Sequence, residues 1–375
     1  MTILFLRSNP VSPDSRVEKE ATALVRDGNK VMIFAWDRSC NHPIIEQEEV
    51  FNGCKVLVYR IGIQSTFGAG FRKNLLPLLK FQIAIYKFIH QYADKIDVIH
   101  ACDFDTAGAA FLAKSKSKCF IYDIFDYYVD AFSVPTIARR WIEKADTYVM
   151  NRASAVIICT EERKKQLRYA SPKKLIVIHN TPPKRSSCST QIFSKEGKIK
   201  VVYVGILSYG RDILEVCDFI SKHSQFELHI GGFGILEKDV TAYAEKFNNI
   251  IFYSKLSYED TLRLEGHCDI FAAFYDPLIS NHRFAAPNKF YESLMLGKPI
   301  AMASGSGMSN VVSDFDIGCV CDYKNPGKAL ITLAQRKADW SRMSRIEKIL
   351  YEKNYSWSTM EKRLIGLYRE IALEV

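Results

Sequence analysis

The stretch "FAAPNKFYESLMLGKPIAMAS", Phe284–Ser304, predicts a helix followed closely by a buried strand. Pro287 suits the first turn of a helix, where its missing N–H group is no loss. Gly297 is a typical helix end, and Pro299 prevents the helix from continuing. Three apolar side chains are spaced to face a core: Phe290, Leu294 and Met295. The stretch therefore predicts one helix–strand unit of an α/β fold.

The same alternation of apolar runs and amphipathic segments recurs along the chain. Strands that are apolar throughout and separated by helices indicate parallel sheets covered on both faces. Further strands are predicted at "TILFLR", "KVMIFAW", "DVIHA", "KCFIYDIFD", "SAVIICT", "KLIVIHN", "IKVVYVGIL", "FELHIGGFG", "IIFYSK", "DIFAAFY" and "GCVCDY". We expect an α/β fold of two doubly wound domains, with ligands held at the carboxyl ends of the strands in a cleft between the two halves.

Domain limits follow from a break in this rhythm. Residues 180–198 hold two prolines and a Ser/Thr cluster without periodicity, as in an interdomain linker. We predict domains at 1–180 and 199–355, a linker at 181–198, and a C-terminal helix at 356–375. This helix, after a bend near "NYSW", is expected to pack back on the N-terminal domain.

Composition excludes several classes of protein. No run of about 18 apolar residues predicts a membrane span, and the N-terminus lacks a signal-peptide pattern. Ten scattered cysteines form no Cys-x-x-Cys pair, as in a reduced cytosolic protein. The net charge of +9 lies entirely in residues 1–185, with 28 Lys and Arg against 19 Asp and Glu. An anionic partner surface or a solvated basic face would explain this asymmetry.

The start of the opening helix has the features of a phosphate site. Free N–H groups from Ala286 to Lys289, including Asn288, offer the positive end of the helix dipole. Lys289 adds charge, and Glu292 could accept two vicinal hydroxyl groups. Together they describe a nucleoside diphosphate site. The alternative is an exposed ion pair between Lys289 and Glu292, worth about 0.3 kcal/mol.

Other polar features fall at carboxyl ends of strands in the second half. "YVGILSYGRDI" provides a turn at Gly205 and a cation at Arg211, and "HIGGFG" adds three glycines. Since one rim would gather these features with the opening helix, they favour a ligand site there.

The chain resembles glycosyltransferase family 4, over nearly its whole length. The motifs that carry the resemblance are "SNPVSPDSRVEKEATALVRDGNKV", "DVIHACDFDT", "VIHNTPP", "YVGIL" and "NHRFAAPNKFYESLMLGKPIA". The resemblance implies the GT-B fold of two Rossmann-like domains. It also implies transfer from a UDP- or GDP-linked nucleotide sugar, with retention of configuration and without a metal.

Site roles follow from the same resemblance. Glu292 would bind the ribose hydroxyls, and the backbone around Ala286 and Asn288, with Gly205, would hold the diphosphate and donor sugar. Arg211 and Lys289 would neutralise the departing diphosphate. On the acceptor side, Asp126 is the candidate polar partner of the reaction. Further acceptor-side candidates are Asp14, Arg16 and Asp103.

The sequence departs from the family pattern at three places. Phe284 and Ile206 stand where relatives carry Glu and Arg, and Phe125 and Asp126 lie where a histidine is usual. Asp276, Asn281 and Arg283 are candidate replacements on the donor side. The run Asp103–Asp105 also resembles the Asp-x-Asp metal motif of a different glycosyltransferase fold, although a helix cap or acceptor contact is favoured for Asp103.

Residues 66–95 mix leucines, aromatic residues and lysines. This pattern fits either an element lying at the surface of an anionic membrane or an ordinary core helix with a basic outer side. The first interpretation agrees with family members that build bacterial surface polysaccharides on lipid-linked acceptors. We therefore expect a cytoplasmic enzyme with peripheral contact at the inner membrane face.

Two other functions fit the same architecture. One is a nucleotide-sugar epimerase, which would need a pair of acid/base carboxylates around the sugar. The other is a catalytically degenerate module that binds a nucleotide sugar without transferring it, as the departures at Phe284 and Ile206 suggest. The expected partners are the nucleotide-sugar donor, a glycan or lipid-linked acceptor and an anionic membrane surface. No nucleic-acid partner is expected.

Overall fold

The computed structural model describes residues 1–66, 71–115, 118–131, 134–184 and 197–373. It divides into two compact units, one of Met1–His179 with Met360–Val375 and one of Asn180–Thr359. We call them unit 1 and unit 2. Most of the predicted linker, residues 185–196, lies outside the described residues.

Unit 1 is an eight-stranded sheet with helices packed on it. Its strands are β1 (Thr2–Arg7), β2 (Lys30–Asp37), β3 (His42–Phe51), β4 (Cys54–Gly62), β5 (Val98–Cys102), β6 (Cys119–Ile124), β7 (Ala155–Ile158) and β8 (Leu175–Val177). Its helices are α1 (Ser15–Arg26), α2 (Phe71–Gln91), α3 (Phe104–Ala113), α4 (Tyr128–Ala131) and α5 (Thr136–Met150), with 3₁₀ turns at Ala93–Lys95 and Glu161–Lys165.

The strand order in unit 1 is β3-β4-β2-β1-β5-β6-β7-β8. All neighbours pair in parallel except β3 and β4, which form an antiparallel hairpin at the edge. The sequence analysis did not predict this hairpin, because β3 is charged and mostly exposed rather than apolar. Charged side chains are usual on edge strands, where they discourage pairing with other chains.

Helices α2, α3 and α5 pack on the sheet within one apolar cluster, which contains Phe34, Phe81, Phe88 and Phe120. The three helices therefore form one layer of unit 1, and their outer sides face away from the sheet. None of the helices among the described residues is both long enough and apolar enough to cross a membrane.

Unit 2 is a six-stranded, fully parallel sheet. Its strands are β9 (Ile199–Ile206), β10 (Phe226–Phe233), β11 (Ile250–Phe252), β12 (Ile270–Ala273), β13 (Ile300–Ala303) and β14 (Gly318–Cys321). Its helices are α6 (Ile213–Ser221), α7 (Glu237–Lys246), α8 (Tyr258–His267), α9 (Ser280–Phe284), α10 (Asn288–Leu296), α11 (Ser309–Asp314), α12 (Pro326–Gln335) and α13 (Trp340–Leu350), with a 3₁₀ turn at Lys337–Asp339 and a π-helical turn at Tyr351–Tyr355.

The strand order in unit 2 is β11-β10-β9-β12-β13-β14. This is the doubly wound order in which the chain reverses direction between the first and fourth strands, here β9 and β12. Ligands of such sheets bind beyond the carboxyl ends of the strands at that switch point. In unit 1 the corresponding switch lies between β1 and β5. The predicted α/β fold class is confirmed for both units.

The last helix, α14 (Trp357–Ala372), contributes its residues from Met360 onward to unit 1. The hydroxyl of Tyr368 lies 2.7 Å from Nδ1 of the buried His100 on β5. Arg363 donates from Nη1 to the carbonyl oxygen of Val177 at 3.1 Å. The C-terminal helix is therefore part of the N-terminal unit's core, although it follows unit 2 in the chain.

Candidate functional site

Helix α10 begins one residue later than predicted. Pro287 is its N-cap, with an extended backbone (φ −67°, ψ 144°) and no side chain that could cap the helix. Gly297 ends the helix in the left-handed conformation, as the sequence predicts. The first N–H groups of α10 thus lack a side-chain partner from Pro287, which leaves them suited to an anion.

Lys289 and Glu292 are both buried, at 5% and 4% exposure. The alternative interpretation of an exposed ion pair is therefore wrong. The ammonium of Lys289 lies 4.2 Å from the centre of the Tyr203 ring, a cation–π distance. No ion pair found among the described residues involves Lys289.

Gly205 makes room for this arrangement. A Cβ atom on Gly205 would lie 2.8 Å from Nζ of Lys289. The hydroxyl of Tyr203 donates to the carbonyl oxygen of Ile206 at 2.8 Å, which fixes the ring beneath the ammonium. Strand β9 ends at this point. Gly205, which the sequence analysis interpreted as a turn, leaves space there for the buried Lys289 of helix α10.

Arg211 adds a second cation beside the first. Its guanidinium carbon lies 5.1 Å from the centre of the Tyr275 ring, and its Nε is buried without a hydrogen-bond partner among the described residues. Burial opposes the charge on Lys289, but the phenol groups of Tyr275 and Tyr203 outweigh this effect and raise the pKa of the lysine. Both side chains are therefore cationic near neutral pH.

His282 completes the cluster and was missed by the sequence analysis. Its ring packs edge-on against Tyr275 at 5.2 Å, and its Nδ1 is buried without a hydrogen-bond partner in the described part of the chain. Burial, and then the charge of Arg211, lower the pKa of His282. A neutral imidazole thus lies close to Arg211, with an unused polar atom.

The loops around this cluster are tied together by backbone contacts. The N–H of Asp276 donates to the carbonyl oxygen of Gly210 at 2.9 Å, linking the turn after β9 to the end of β12. A Cβ on Gly307 would lie 1.6 Å from the carbonyl oxygen of Ala285. The predicted residues Ala286 and Asn288 follow in this segment, half-buried and exposed respectively.

The candidate donor-side replacements differ in accessibility. Asp276 and Asn281 are half-buried, while Arg283 is exposed. Oδ1 of Asp276 accepts the N–H of Leu278 at 2.9 Å, which leaves its other oxygen for a ligand. Phe284 is half-buried and Ile206 is half exposed. Both side chains are apolar, so neither carries a charge that could substitute for the family's Glu and Arg.

The acceptor-side candidates lie in unit 1, and two of them brace one arginine. Arg7, at the end of β1, donates to Asp103 at 2.5 Å and to Asp14 at 2.8 Å. Asp14 is also the N-cap of α1, where it accepts the N–H of Val17. These contacts account for both carboxylates structurally, and their contact with an acceptor stays a prediction.

Asp103 stands at the N-cap position of α3 but does not cap it with its side chain. Its Oδ1 instead accepts the N–H groups of Phe125 and Asp126, at 2.9 and 3.2 Å, and so fixes the loop after β6. The residue adopts a left-handed backbone, with φ of 63°. Because Arg7 occupies Oδ2, the oxygens of Asp103 are already used, which disfavours a metal at Asp103–Asp105.

Arg16 is 2% exposed and forms a bidentate pair with Asp123, at 2.7 and 3.1 Å. It also donates to the carbonyl oxygen of Ile178 at 2.9 Å. This leaves Arg16 almost no surface for an acceptor. Its observed contacts join α1, β6 and the segment after β8.

Asp126 differs from these because its carboxylate reaches solvent. Its side chain is 46% exposed, and Oδ1 accepts from Nη2 of the buried Arg163 at 2.6 Å. Arg163 also contacts Gln166, which in turn binds Asp130. Asp126 is therefore a held, accessible carboxylate at the carboxyl end of β6.

Helix α2 has two faces. Phe81, Ile85 and Phe88 are buried against the sheet. The opposite face exposes five large apolar side chains beside the exposed lysines 73, 80 and 87: Leu75, Leu76, Leu79, Ile83 and Tyr86. Residues 67–70 of the predicted surface element lie outside the described residues, and so does the side chain of Arg72.

Comparison with known proteins bears on the identity of this site. Residues 15–181 match the family model "Glycosyltransferase Family 4". The match covers 167 of the 375 residues and most of unit 1. The recognition made from the sequence is thereby confirmed over the part of the chain that the model covers.

The chain has the GT-B fold. Its structure is similar to sucrose-phosphate synthase from Thermosynechococcus elongatus, with a TM-score of 0.76, 16% identity and 100% of each chain covered. It is similar to HepE from Anabaena in complex with UDP-glucose, with a TM-score of 0.68, 15% identity, and 99% and 100% covered. It is also similar to a trehalose 6-phosphate synthase from Burkholderia multivorans, with a TM-score of 0.70, 11% identity and 100% of each chain covered. A search of the curated proteins finds no match.

Sequence reasoning found the cations of the site but not the rings beneath them. Tyr203 lies in β9 and Tyr275 lies just beyond β12, both within apolar runs of the sequence, and they looked like ordinary core residues. The signal that could have revealed them is their position near the carboxyl ends of β9 and β12, next to the switch point. His282, in the short helix α9, had no such signal, since its position depends on packing against Gly210 and Tyr275.

Proposed function

We propose that this protein is a family 4 glycosyltransferase that moves a sugar from a nucleoside diphosphate sugar to a glycan or lipid-linked glycan acceptor, with retention of configuration. One observation carries the proposal: Lys289 and Arg211 converge at the start of α10 and, among the described residues, neither joins an ion pair. Leaving two neighbouring cations unpaired is costly, and a diphosphate would supply the missing charge.

The cations would act most strongly as the sugar–phosphate bond breaks. Charge then develops on the diphosphate, and fixed donors in a partly dry site stabilise that charge without reorganising. The N-terminus of α10 contributes further donors. Neutral His282 can add a hydrogen bond without increasing the repulsion between the two cations.

Glu292 would bind the ribose of the donor. It lies one helical turn beyond Lys289 and is almost fully buried. A carboxylate has lone pairs enough to accept from both vicinal hydroxyls, and such charged hydrogen bonds are among the stronger ones in proteins. The HepE structures hold UDP or UDP-glucose. We propose UDP as the first nucleotide to test here, with GDP second.

The acceptor would be handled by unit 1. Asp126 is the best candidate for positioning the acceptor hydroxyl, because its carboxylate is accessible while Arg163 holds it in place. Asp103, Asp14 and Arg16 are proposed to support this side indirectly. No step of the proposed transfer requires a metal, since Lys289, Arg211 and the helix N-terminus can take the metal's role at the diphosphate.

We further propose that unit 1 docks on anionic membrane, in the synthesis of bacterial surface polysaccharide. The five exposed apolar residues of α2 support this, together with Ile137 and Trp141 on α5, which are 88% and 71% exposed. Both helices lie in the same layer of unit 1. Interspersed lysines would attract lipid headgroups while the apolar side chains enter the interface.

The decisive experiment measures release of free nucleoside diphosphate from UDP- and GDP-sugars, with and without a bacterial lipid extract as acceptor, and identifies any product by NMR. Acceptor-dependent release with an α- or β-linkage that matches the donor supports the proposal. A rearranged nucleotide sugar without transfer would indicate an epimerase. Tight nucleotide binding without any turnover would indicate a degenerate binding module.

A further inference from the structure

A second polar cluster lies in unit 1, in the connection between β2 and β3. Asp37 ends β2, His42 begins β3, and Cys40 lies on the exposed loop between them. One ligand atom from each residue lies within 4.8 Å of the other two. None of the three belongs to the residues proposed above for donor or acceptor.

The other polar atoms of these side chains are already engaged. Oδ1 of Asp37 accepts both the N–H and the hydroxyl of Ser39, at 2.8 and 2.6 Å. Nδ1 of His42 lies 2.7 Å from the carbonyl oxygen of Pro43 and must carry the hydrogen that joins them. The atoms left over are Oδ2 of Asp37, Nε2 of His42 and Sγ of Cys40, and these three face one another.

This leftover set has the character of a metal site. In the neutral imidazole, Nε2 presents a lone pair to the carboxylate oxygen 3.2 Å away, so two acceptors face each other unless a cation lies between them. Ligating histidines commonly donate their other ring N–H to a backbone carbonyl, and ligating carboxylates are themselves hydrogen-bonded. Both supporting contacts are present here.

The spacing also fits tetrahedral coordination. Zinc bonds of about 2.0 Å to N and O and 2.3 Å to S place tetrahedral ligands about 3.3–3.6 Å apart. Oδ2 lies 3.2 Å from Nε2 and 4.0 Å from Sγ. Small side-chain movements would therefore complete three bonds.

The surrounding contacts hold the loop in this shape. A Cβ on Gly62 would lie 2.3 Å from Cδ2 of His42, so the imidazole packs directly on the backbone of β4. Arg38 stacks 3.8 Å from the Trp36 ring and donates to the carbonyl oxygen of Ser8. Asn41 accepts the N–H of Gln64 at 2.8 Å.

We propose that Asp37, Cys40 and His42 bind one divalent metal ion of the zinc class, with a fourth position open to water. Thiolate, imidazole and carboxylate together select zinc or cobalt over magnesium or calcium, which prefer oxygen ligands alone. A second group of potential ligands, His100, Cys102 and Asp123, is fully buried, and Arg16 already occupies Asp123. It is a poorer site because a guanidinium repels a metal ion.

The test uses the full chain, freed of any affinity tag and of metal, titrated with CoCl₂ in the absence of substrate. We expect one equivalent of Co²⁺ with a thiolate charge-transfer band in the near ultraviolet. Cys40→Ser should abolish the band. Cys54→Ser is the matched control, a half-buried free cysteine at the start of β4, and should keep it. Ser39→Ala should weaken Co²⁺ binding about 10- to 100-fold by releasing Asp37.

A second measurement locates the thiolate without relying on absorption. ZnCl₂ should slow alkylation of Cys40 by iodoacetamide, followed by mass spectrometry, and His42→Ala should remove this protection. The proposal is overturned if the wild type shows no thiolate band, if the band survives in Cys40→Ser, or if zinc leaves the alkylation rate of Cys40 unchanged. In the last two cases His42 and Asp37 form only a proton-mediated pair.

Discussion

The ammonium of Lys289 rests 4.2 Å from the centre of the Tyr203 ring, next to a glycine, Gly205, that leaves it space. A cation over a desolvated aromatic ring gains about 2 kcal/mol, which helps a buried lysine remain charged without an ion pair. Arg211 is arranged in the same way against Tyr275, at 5.1 Å. Two cations held by rings rather than carboxylates remain available to an anionic ligand.

Glu292→Gln should weaken UDP binding while preserving the fold. We expect a loss of about 1.5–3 kcal/mol, the range for hydrogen bonds to a charged group. Calorimetry with UDP and with 2′,3′-dideoxy-UDP separates the cause. The variant and the wild type should bind the dideoxy compound alike, because the hydroxyls that Glu292 would accept from are absent. An equal loss for both nucleotides would assign Glu292 a structural role.

Two neighbouring glycines should respond differently to alanine. In Gly205→Ala the new methyl group meets the flexible end of Lys289 and the backbone φ of 156° strains any side chain, so we expect a smaller loss of stability than in Gly232→Ala and about tenfold weaker UDP binding (about 1.4 kcal/mol). In Gly232→Ala the methyl group would lie 1.8 Å from the backbone oxygen of Gly205. This variant should lose about 1–3 kcal/mol of unfolding free energy or more.

Urea denaturation and calorimetry on both variants check this contrast. If Gly205→Ala binds UDP as tightly as the wild type, the position of the Lys289 ammonium does not matter to the nucleotide, and the proposed diphosphate site loses its main support.

Arg211→Met should lower turnover more than it raises KM for the donor. The charge of Arg211 stabilises the transition state more than the bound donor, because negative charge develops on the departing diphosphate. We therefore expect kcat to fall about 10²- to 10³-fold. Lys222→Met, at an exposed lysine of the same unit, serves as the control.

Incubation with EDTA should leave the transfer rate of the wild type nearly unchanged. Activity that EDTA removes and magnesium or manganese restores would contradict the metal-free mechanism.

Charge should govern binding of unit 1 to membranes. Replacing Arg72, Lys73 and Lys80 with glutamine should remove about 3 kcal/mol of attraction to anionic liposomes, at about 1 kcal/mol per charge. Sedimentation of the wild type should also fall as salt rises from 0.1 to 1 M, because the Debye length shrinks from about 10 to 3 Å.

The control for the membrane test replaces three exposed lysines of unit 2 in the same way: Lys222, Lys238 and Lys255. Activity on a short soluble acceptor should survive both triple variants, since neither removes a residue proposed for the donor. Equal sedimentation with neutral and anionic liposomes would rule out docking led by charge.

Asp146 should make unit 1 less stable as pH rises. The carboxyl is buried and accepts from the hydroxyl of Tyr122 at 2.8 Å, and burial raises its pKa from 3.8 to about 7. Between these values the folded state holds a proton that the unfolded state releases, so stability falls as pH increases through this range. Asp146→Asn keeps the side chain neutral at every pH.

Thermal or urea unfolding across pH 4–8 measures this effect. Near pH 4 the wild type and Asp146→Asn should be about equally stable, and at pH 8 the variant should be more stable by on the order of 2–4 kcal/mol. Asp94→Asn, at an exposed carboxyl group, should leave the profile unchanged. Parallel profiles for wild type and Asp146→Asn would show that Asp146 is ionised in the folded state throughout.

The fold class and the cationic side of the candidate site were predictable from the sequence. Runs that are apolar throughout can only be buried on both faces, so they predicted parallel strands correctly in both units. Pro287 and Gly297 marked the ends of α10 because their backbone preferences act locally. Lys289 and Arg211 were identifiable since charged residues at the ends of buried strands and the starts of helices are unusual unless they meet an anion.

Contacts between residues distant in the chain set which of these charges are used by the protein and which remain for a ligand. Asp14, Arg16 and Asp103 were acceptor-side candidates beside Asp126 in the sequence, yet contacts across as many as 162 positions engage Arg16 and bury it. The edge hairpin, the tyrosine rings beneath the cations, and the grouping of Asp37, Cys40 and His42 likewise depend on packing. Local preferences fix a residue's backbone, whereas its charge environment is set by neighbours that are distant in the chain.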